Sequence, residues 1–141
     1  MLAYNNVRVE VESNALLGEC PVWDAEKQLL YWLDIKGKTL NRFSTKTNLN
    51  QALPLCIEVG SIAIRTGGSL VAATRDGFAY MSDETGVLTA INDPERHFPN
   101  NRFNDGSIDH AGNFIAGTMD DFEKTQPVQF MRWVRLEVLP V

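Results

Sequence analysis

An all-β fold made of repeated strand units is predicted by three features of the 141-residue sequence. Short apolar runs rich in β-branched and aromatic residues alternate with turns that contain Gly or Asp, as in LLYWLDIKGK and SLVAATRDGF. No long stretch places apolar residues at helical spacing. The apolar runs near Leu30, Leu70 and Phe114 recur at steps of roughly 40 to 45 residues, a period typical of four-stranded propeller blades. The sequence therefore predicts blades of a β-propeller.

The elements follow in chain order within a single partial propeller domain, 1–141. Residues 1–15 are predicted to hold an N-terminal strand, because Val7, Val9 and Val11 alternate with charged residues. The first blade is expected to span residues 16–58 and the second blade residues 59–99. The third blade starts within residues 100–125. A divergent tail of residues 126–141 has enough apolar residues for one further strand.

Composition limits the classes of function. Hydrophobic residues make up 44% and charged residues 22% of the chain, which is typical of a soluble globular protein. A formal net charge of -5 argues against a nucleic-acid partner or an anionic membrane. The sequence shows neither a signal peptide nor a membrane-spanning run, so we expect a cytoplasmic protein. Cys20 and Cys56 lack CxxC spacing and are expected to be buried or partly buried thiols rather than a disulfide.

Polar residues are concentrated where two of the predicted blades begin. NNRFNDG, residues 100–106, leads into the innermost strand of the third unit, and Glu19 precedes the equivalent strand of the first unit. In a propeller the innermost strands line the central channel, and loops at one end of it converge on a shared pocket. We therefore expect these polar side chains to lie at one channel mouth.

Each of these residues also has a purely structural interpretation. Glu19 taken alone suits a surface or paired carboxylate, and Arg102 suits an ion pair with a neighbouring acid. Asp105 is expected to stabilise its own turn, because Asp-Gly is favourable turn chemistry. His97 and His110 lack a second histidine at ligand spacing and are expected to be solvated.

Two motifs resemble the gluconolactonase and regucalcin family of six-bladed β-propellers, also called the senescence marker protein family. The first motif is GECPVWD, which starts at Gly18, and the second is NRFNDG followed by AGNFIAGTM. The resemblance runs from about Leu16 to Met119. Because members of that family are nearly twice as long, it implies that this chain is the N-terminal half, about three blades, of a six-bladed β-propeller.

The same resemblance implies a metal-dependent lactonase that opens sugar lactones. Glu19 corresponds to the metal-binding glutamate of the family, and Arg102 and Asn104 correspond to residues that contact the substrate. The expected cofactor is a divalent cation, calcium or zinc, with magnesium and manganese also compatible with oxygen ligands. Two further ligands, one of them the usual general base, come from later blades in the family. The catalytic residues of this chain are therefore unknown.

The three implied residues suit lactone chemistry. A sugar lactone carries hydroxyls and an ester carbonyl, so the amide of Asn104 can meet it with donors and an acceptor. Arg102 offers donors in a fixed geometry. Glu19 supplies hard anionic oxygen to a cation, which would polarise the carbonyl.

Two alternatives to a working lactonase are a non-catalytic calcium-binding module and a degenerate propeller fragment. An incomplete propeller would expose blade faces, so self-association through these faces is expected. The other expected partner is a small-molecule sugar lactone. The sequence leaves open which lactone it is.

Overall fold

A computed structural model describes residues 7–122 and 132–137 of the chain. Eleven β-strands form three antiparallel sheets in this part, which contains no helix. The all-β prediction is confirmed. No helix of the described residues is long and apolar enough to span a membrane.

Each sheet consists of strands that are consecutive in the sequence. The first sheet has the order β1 (Gly18–Asp24), β2 (Leu29–Asp34), β3 (Thr39–Ser44) and β4 (Leu49–Pro54). The second sheet has the order β5 (Val59–Ile64), β6 (Leu70–Thr74), β7 (Gly77–Met81) and β8 (Leu88–Asn92). In the third sheet, β10 (Asn113–Asp120) lies between β9 (Asn101–Ile108) and β11 (Arg132–Glu137).

The predicted spans can be set beside these strands. Each four-stranded sheet lies within one predicted blade, and β11 lies within the predicted tail, where it pairs antiparallel with β10. The boundaries between blades stay predictions.

The N-terminal segment differs from the prediction. Residues 7–15 carry no strand, and Val7 and Val9 are 86% and 71% exposed. Residues 1–6 of the predicted strand lie outside the described residues. Alternation of apolar and charged side chains favours an extended chain, but a strand also needs a neighbour that pairs with its backbone groups. No such neighbour meets residues 7–15 in the described part of the chain.

Carboxylates close several of the tight turns. Asp24 accepts the N–H groups of Glu26 and Lys27 at 3.0 and 2.9 Å. Asp34 accepts the N–H of Gly37 at 2.9 Å, and the N–H groups of residues 16 and 17 at 2.9 and 3.0 Å. Such side-chain contacts satisfy backbone donors that a turn leaves unpaired. Asp34 therefore also ties the N-terminal segment to the first sheet.

The core consists of two apolar clusters on opposite faces of the second sheet. Leu70 and Ala72 of β6 belong to the cluster shared with the first sheet, which also contains Tyr31, Leu33 and Leu40. Val71 and Ala73 belong to the cluster shared with the third sheet, which also contains Phe78, Phe103 and Phe114. Successive strand residues point to opposite faces, so a strand covered on both sides must be apolar throughout. This explains why all five residues of β6 are buried.

Candidate functional site

The first strands of the three sheets lie side by side, with β5 in contact with both β1 and β9. A Cβ added to Gly60 of β5 would lie 2.4 Å from the carbonyl oxygen of Phe103 in β9. Only glycine permits this approach, because a methyl group would overlap the backbone of β9. The close packing brings the starts of these strands together.

Each of these first strands is bulged near its start. The pairing register shifts between Glu19 and Val22 in β1, and between Val59 and Ser61 in β5. In β9, Phe103 and Asp105 pair with consecutive residues of β10, and Asn104 between them has no pairing partner there. A bulge bends the strand and redirects its side chains, and bulges are frequent next to active sites. The predicted site residues Glu19 and Asn104 thus lie beside or within bulges.

The bulge of β1 is anchored to β5 by Cys20. Its backbone has a φ of 55°, in the left-handed region that non-glycine residues rarely adopt. Its Sγ accepts the N–H of Ile62 at 3.3 Å. Burial raises the pKa of the Cys20 thiol, and the negative charges of nearby acids also raise it. Cys20 is therefore protonated at neutral pH.

Both cysteines are free thiols, and Cys20 is partly buried as expected. The burial expected for Cys56 is wrong, because Cys56 lies exposed in the bend between β4 and β5.

Glu19 is exposed at the start of β1, opposite Leu33 of β2. Its carboxylate forms no salt bridge with any of the described residues. An unpaired, hydrated carboxylate suits a hard divalent cation such as calcium. Residues 7–122 and 132–137 contain no group of three or more His, Cys, Asp or Glu arranged to hold a metal ion. Glu19 therefore fits the role of one ligand, and the described residues do not complete a metal site.

Arg102 is buried at the start of β9, with an exposure of 6%. Its Nε donates to Oδ1 of Asp121 at 2.8 Å, and its Nη1 donates to the carbonyl oxygen of Phe103 at 3.1 Å. The pairing with an acid that the sequence suggested as an alternative is therefore present. Nη2 of Arg102 has no hydrogen bond within the described residues and is the donor left for a ligand.

Asn104 lies next to Arg102 and is half-buried. Its Oδ1 accepts a hydrogen bond from Nη1 of Arg102 at 3.3 Å. The structure thus brings the two sequence-predicted substrate residues into contact. Because Oδ1 is used in this way, the Nδ2 amide group of Asn104 is left with two donors for a ligand. The substrate-binding role of both residues stays a prediction.

Asp121 connects Arg102 to a network of charged side chains that sequence analysis missed. Nη2 of Arg75 lies 2.5 Å from Oδ2 of Asp121, and its Nε donates to Glu58 at 3.0 Å. Lys36 lies 2.9 Å from Glu58 and 3.6 Å from Asp121. Lys36, Arg75 and Asp121 each follow the second strand of their sheet. Their recurrence at the same point of each repeat was the signal that could have found them.

Both acids of the network are ionised at neutral pH. Burial opposes the charge of Asp121, but hydrogen bonds from Arg102 and Arg75 outweigh it and lower the pKa of Asp121 to about 2. Burial likewise opposes the charge of Glu58, and hydrogen bonds from Lys36 and Arg75 lower its pKa. The hydrogen bond to Asp121 raises the pKa of Arg75. The side chain of Arg102 is thus held in place by a carboxylate, Asp121, that stays charged at neutral pH.

Two openings lie beside these residues. A cleft of about 480 Å³ is lined by the first strands of all three sheets, through Cys20, Pro21, Val22, Ile62, Ala63, Ile64, Asp105, Gly106, Ser107 and Ile108. A second cavity of about 250 Å³ lies at the start of β9 and is lined by Asn101, Arg102, Phe103, Thr118 and residues of the neighbouring turns. Arg102 lines only the second of these openings.

His97 and His110 are both exposed, and Asp105 accepts the N–H of Gly106 at 2.7 Å. The exposure of the two histidines agrees with the solvated role expected for them. The turn expected at Asp105 is wrong, because Asp105 lies within β9 and pairs with Gly117 of β10, so its contact with Gly106 belongs to a strand.

Comparison with known proteins identifies relatives of this chain. Regucalcin of Xenopus laevis is 33% identical over 117 residues, covering 82% of this chain and 39% of the frog protein. A 6-deoxy-6-sulfogluconolactonase of Pseudomonas putida is 36% identical over 110 residues, covering 77% of this chain and 38% of that enzyme. This chain thus spans about two fifths of the length of these relatives.

A solved structure shares the fold. Regucalcin from Agrobacterium tumefaciens, described as a calcium-binding protein, superposes with a TM-score of 0.79 at 26% identity. The match covers 92% of this chain and 45% of the regucalcin chain. The family model of the SMP-30/Gluconolactonase/LRE-like region matches residues 17–137. The chain therefore belongs to the SMP-30/gluconolactonase/LRE-like family.

Proposed function

We propose that this chain provides the N-terminal half, about three blades, of a six-bladed β-propeller that hydrolyses a sugar lactone with a divalent cation. The observation that carries the proposal is that β1 and β9 flank β5 and line one cleft with it, and that their bulged starts bear Glu19 and the Arg102–Asn104 pair. Family membership and the sulfogluconolactonase relative support the reaction class. Calcium or zinc is the proposed cation, and the regucalcin described as calcium-binding favours calcium.

The residues of this chain would divide the work as follows. Glu19 would hold a divalent cation, which would supply Lewis-acid polarisation of the lactone carbonyl when bound. The Nη2 donor of Arg102, held by Asp121, orients a substrate oxygen. The Nδ2 donors of Asn104 hold a second oxygen. Water adds to the carbonyl, the ring C–O bond breaks and a hydroxy acid is released. The general base stays unassigned among the described residues.

The remaining assignments are also proposals. The ligand is a small-molecule sugar lactone, and the negative charge of the chain disfavours nucleic acid. The chain acts in the cytoplasm. Self-association through sheet faces is supported by large exposed apolar side chains of the strands, among them Trp23 at 46% and Leu49 at 69%.

A second candidate function is cation binding without catalysis. The solved regucalcin that matches 92% of this chain is described as a calcium-binding protein, which favours this alternative. Cation binding would need Glu19 but would not depend on Asn104.

Hydrolysis of glucono-δ-lactone by the purified chain, with Ca²⁺, Zn²⁺ or Mn²⁺ added in turn, tests the proposal. We expect metal-dependent turnover that Glu19→Gln reduces by at least about tenfold, because the amide is a weaker ligand than the carboxylate. The matched control is Glu84→Gln, an exposed residue of the turn before β8, which should retain full turnover. Turnover that survives Glu19→Gln, or a folded chain without turnover in any metal, would sink the lactonase proposal.

A further inference from the structure

The ion pair that holds Arg102 continues from the third sheet into the second sheet. Nε of Arg102 donates to Oδ1 of Asp121 at 2.8 Å, and Nη2 of Arg75 donates to Oδ2 of Asp121 at 2.5 Å. Each oxygen of this carboxylate therefore accepts from one guanidinium. Arg75 directly follows β6 of the second sheet, whereas Arg102 and Asp121 belong to the third sheet. A residue of one sheet thus contacts the acid that holds a predicted site residue of the next sheet.

Arg75 is itself held by Glu58, the residue that precedes β5. Nε of Arg75 donates to Oε2 of Glu58 at 3.0 Å, and Nη2 of Arg75 contacts the same oxygen. The backbone N–H of Arg75 donates to the carbonyl oxygen of Glu58 at 2.9 Å. Because a guanidinium is planar, fixing its Nε and Nη2 also fixes the direction in which it meets Asp121.

The side chain of Asp121 depends on these contacts for its orientation. Its backbone is fixed, since the N–H of Asp121 donates to the carbonyl oxygen of Asn100 at 2.9 Å. Within the described residues, however, the partners of its carboxylate are Arg102, Arg75 and Lys36. Lys36 is 3.6 Å away and its side chain is 42% exposed, so it holds the carboxylate weakly. Without Arg75, Oδ2 of Asp121 would lose its partner and the carboxylate would be free to change rotamer.

A change in the rotamer of Asp121 would displace Arg102. Nε of Arg102 is the nitrogen that Asp121 binds, and the guanidinium turns as one rigid plane. Nη2 of Arg102, the donor left for a ligand, would therefore point in a different direction. A displacement of about 1 Å in a positioning group can reduce a reaction rate by roughly a hundredfold.

We propose that Arg75 is a positioning residue for the lactone site, which orients Asp121 and, through Asp121, the Nη2 donor of Arg102. Glu58 supports Arg75 in this role. The inference rests on the proposed lactonase function and extends its site from the third sheet to the second sheet.

The test follows the Nε–Hε signal of Arg102 in NMR spectra of the ligand-free 141-residue chain. This signal reports on the hydrogen bond to Asp121 and needs neither a metal nor turnover. We expect Arg75→Gln to shift it, because the neutral amide holds Asp121 less firmly. Arg75→Lys keeps a cation beside Asp121 and should leave the signal closer to its wild-type position. Glu58→Gln loosens Arg75 from behind and should shift the signal in the direction seen for Arg75→Gln, which tests the inference even where Arg75→Gln does not fold.

Arg65→Gln is the matched control. Arg65 belongs to the same sheet, and its Nη1 donates to Oγ of Ser69 at 2.9 Å, but it follows β5 whereas Glu58 precedes β5. We expect Arg65→Gln to leave the Arg102 signal unchanged. A folded Arg75→Gln with a lower Tm and an unchanged Arg102 signal would overturn the inference, because Arg75 would then only stabilise the sheets. Equal shifts in Arg65→Gln and Arg75→Gln would overturn it as well.

Kinetics distinguish positioning from direct contact, since Arg75 and Arg102 line the same cavity. We expect Arg75→Gln to lower kcat/KM for glucono-δ-lactone by about tenfold, and to have no further effect in an Arg102→Gln background. Losses that multiply would show that Arg75 acts on the substrate independently of Arg102 and would refute the positioning role.

The two readouts separate this inference from the lactonase proposal. A chain without turnover in which Arg75→Gln shifts the Arg102 signal would refute the lactonase and leave the orienting contact intact. Metal-dependent turnover with an Arg102 signal and a kcat/KM that Arg75→Gln leaves unchanged would refute the positioning role and leave the lactonase intact.

Discussion

Arg102 shows how a single residue can be both structural and available to a ligand. Nε is bound to Asp121, and Nη1 is shared between Phe103 and Asn104. The guanidinium is a planar group with five donors, so fixing two of its nitrogens fixes the direction of the third. The pairing with Asp121 thus orients Arg102 and leaves Nη2 free for a ligand.

Asp121 should control the stability of this arrangement in a pH-dependent manner. Asp121→Asn is expected to cost about 1–3 kcal/mol at pH 7, because buried Arg102 loses its charged partner. The pKa of Asp121 is about 2 in the folded state and 3.8 for the free side chain. A lowered folded-state pKa means that the stabilisation is present above pH 3.8 and is lost as the pH falls towards 2.

Urea unfolding of wild type and Asp121→Asn between pH 7 and pH 2 measures this effect. The stability difference between the two proteins should shrink as the pH falls through that window. Glu84→Gln, at an exposed residue of the turn before β8, serves as the control and should change stability little at any pH. A constant difference between wild type and Asp121→Asn would show that Asp121 is not the titrating group.

At the scale of the element, spacing between the first strands decides where the site residues lie. Gly60→Ala would bring a methyl group within 2.4 Å of the Phe103 carbonyl oxygen and 2.9 Å of that of Asn104. Both atoms are backbone, so β5 and β9 must separate. We expect a loss of about 1–3 kcal/mol in unfolding free energy, and displaced signals of Arg102 and Asn104 in NMR spectra.

Gly18→Ala is the matched control for this substitution. An added Cβ at Gly18 would meet its nearest neighbour at 3.6 Å, an ordinary contact, and this glycine also belongs to the first strand of a sheet. Equal effects of the two substitutions on stability and on the Arg102 signals would argue that the close approach of β5 and β9 is unimportant.

The strands themselves were largely readable from the sequence, whereas the bulges were not. Runs such as Leu70–Thr74 between Gly-containing turns predict strands on local grounds. A bulge at Asn104 depends on which residues of β9 and β10 face each other, and register is a property of the pair of strands. The strand predicted for the N-terminal segment was wrong over residues 7–15 for a related reason. Alternation is a local signal and does not show whether another strand is available for pairing.

At the scale of the whole molecule, the repeat explains both what was predicted and what was missed. The motifs that contain Glu19 and Asn104 predicted the family, which is confirmed. The positions of Lys36, Arg75 and Asp121 after the second strand of each unit are visible in the sequence, but only the stacking of the three sheets shows that their side chains meet.

The central claim is that the starts of β1 and β9 form one lactone-hydrolysing site. A double-mutant cycle of Glu19→Gln and Asn104→Ala, measured by kcat/KM for metal-dependent hydrolysis of glucono-δ-lactone, tests it most directly. If the two residues act on one bound substrate, the kcat/KM of the double variant should be only slightly lower than that of the less active single variant. Losses that multiply, or activity that either single variant leaves intact, would contradict a shared site.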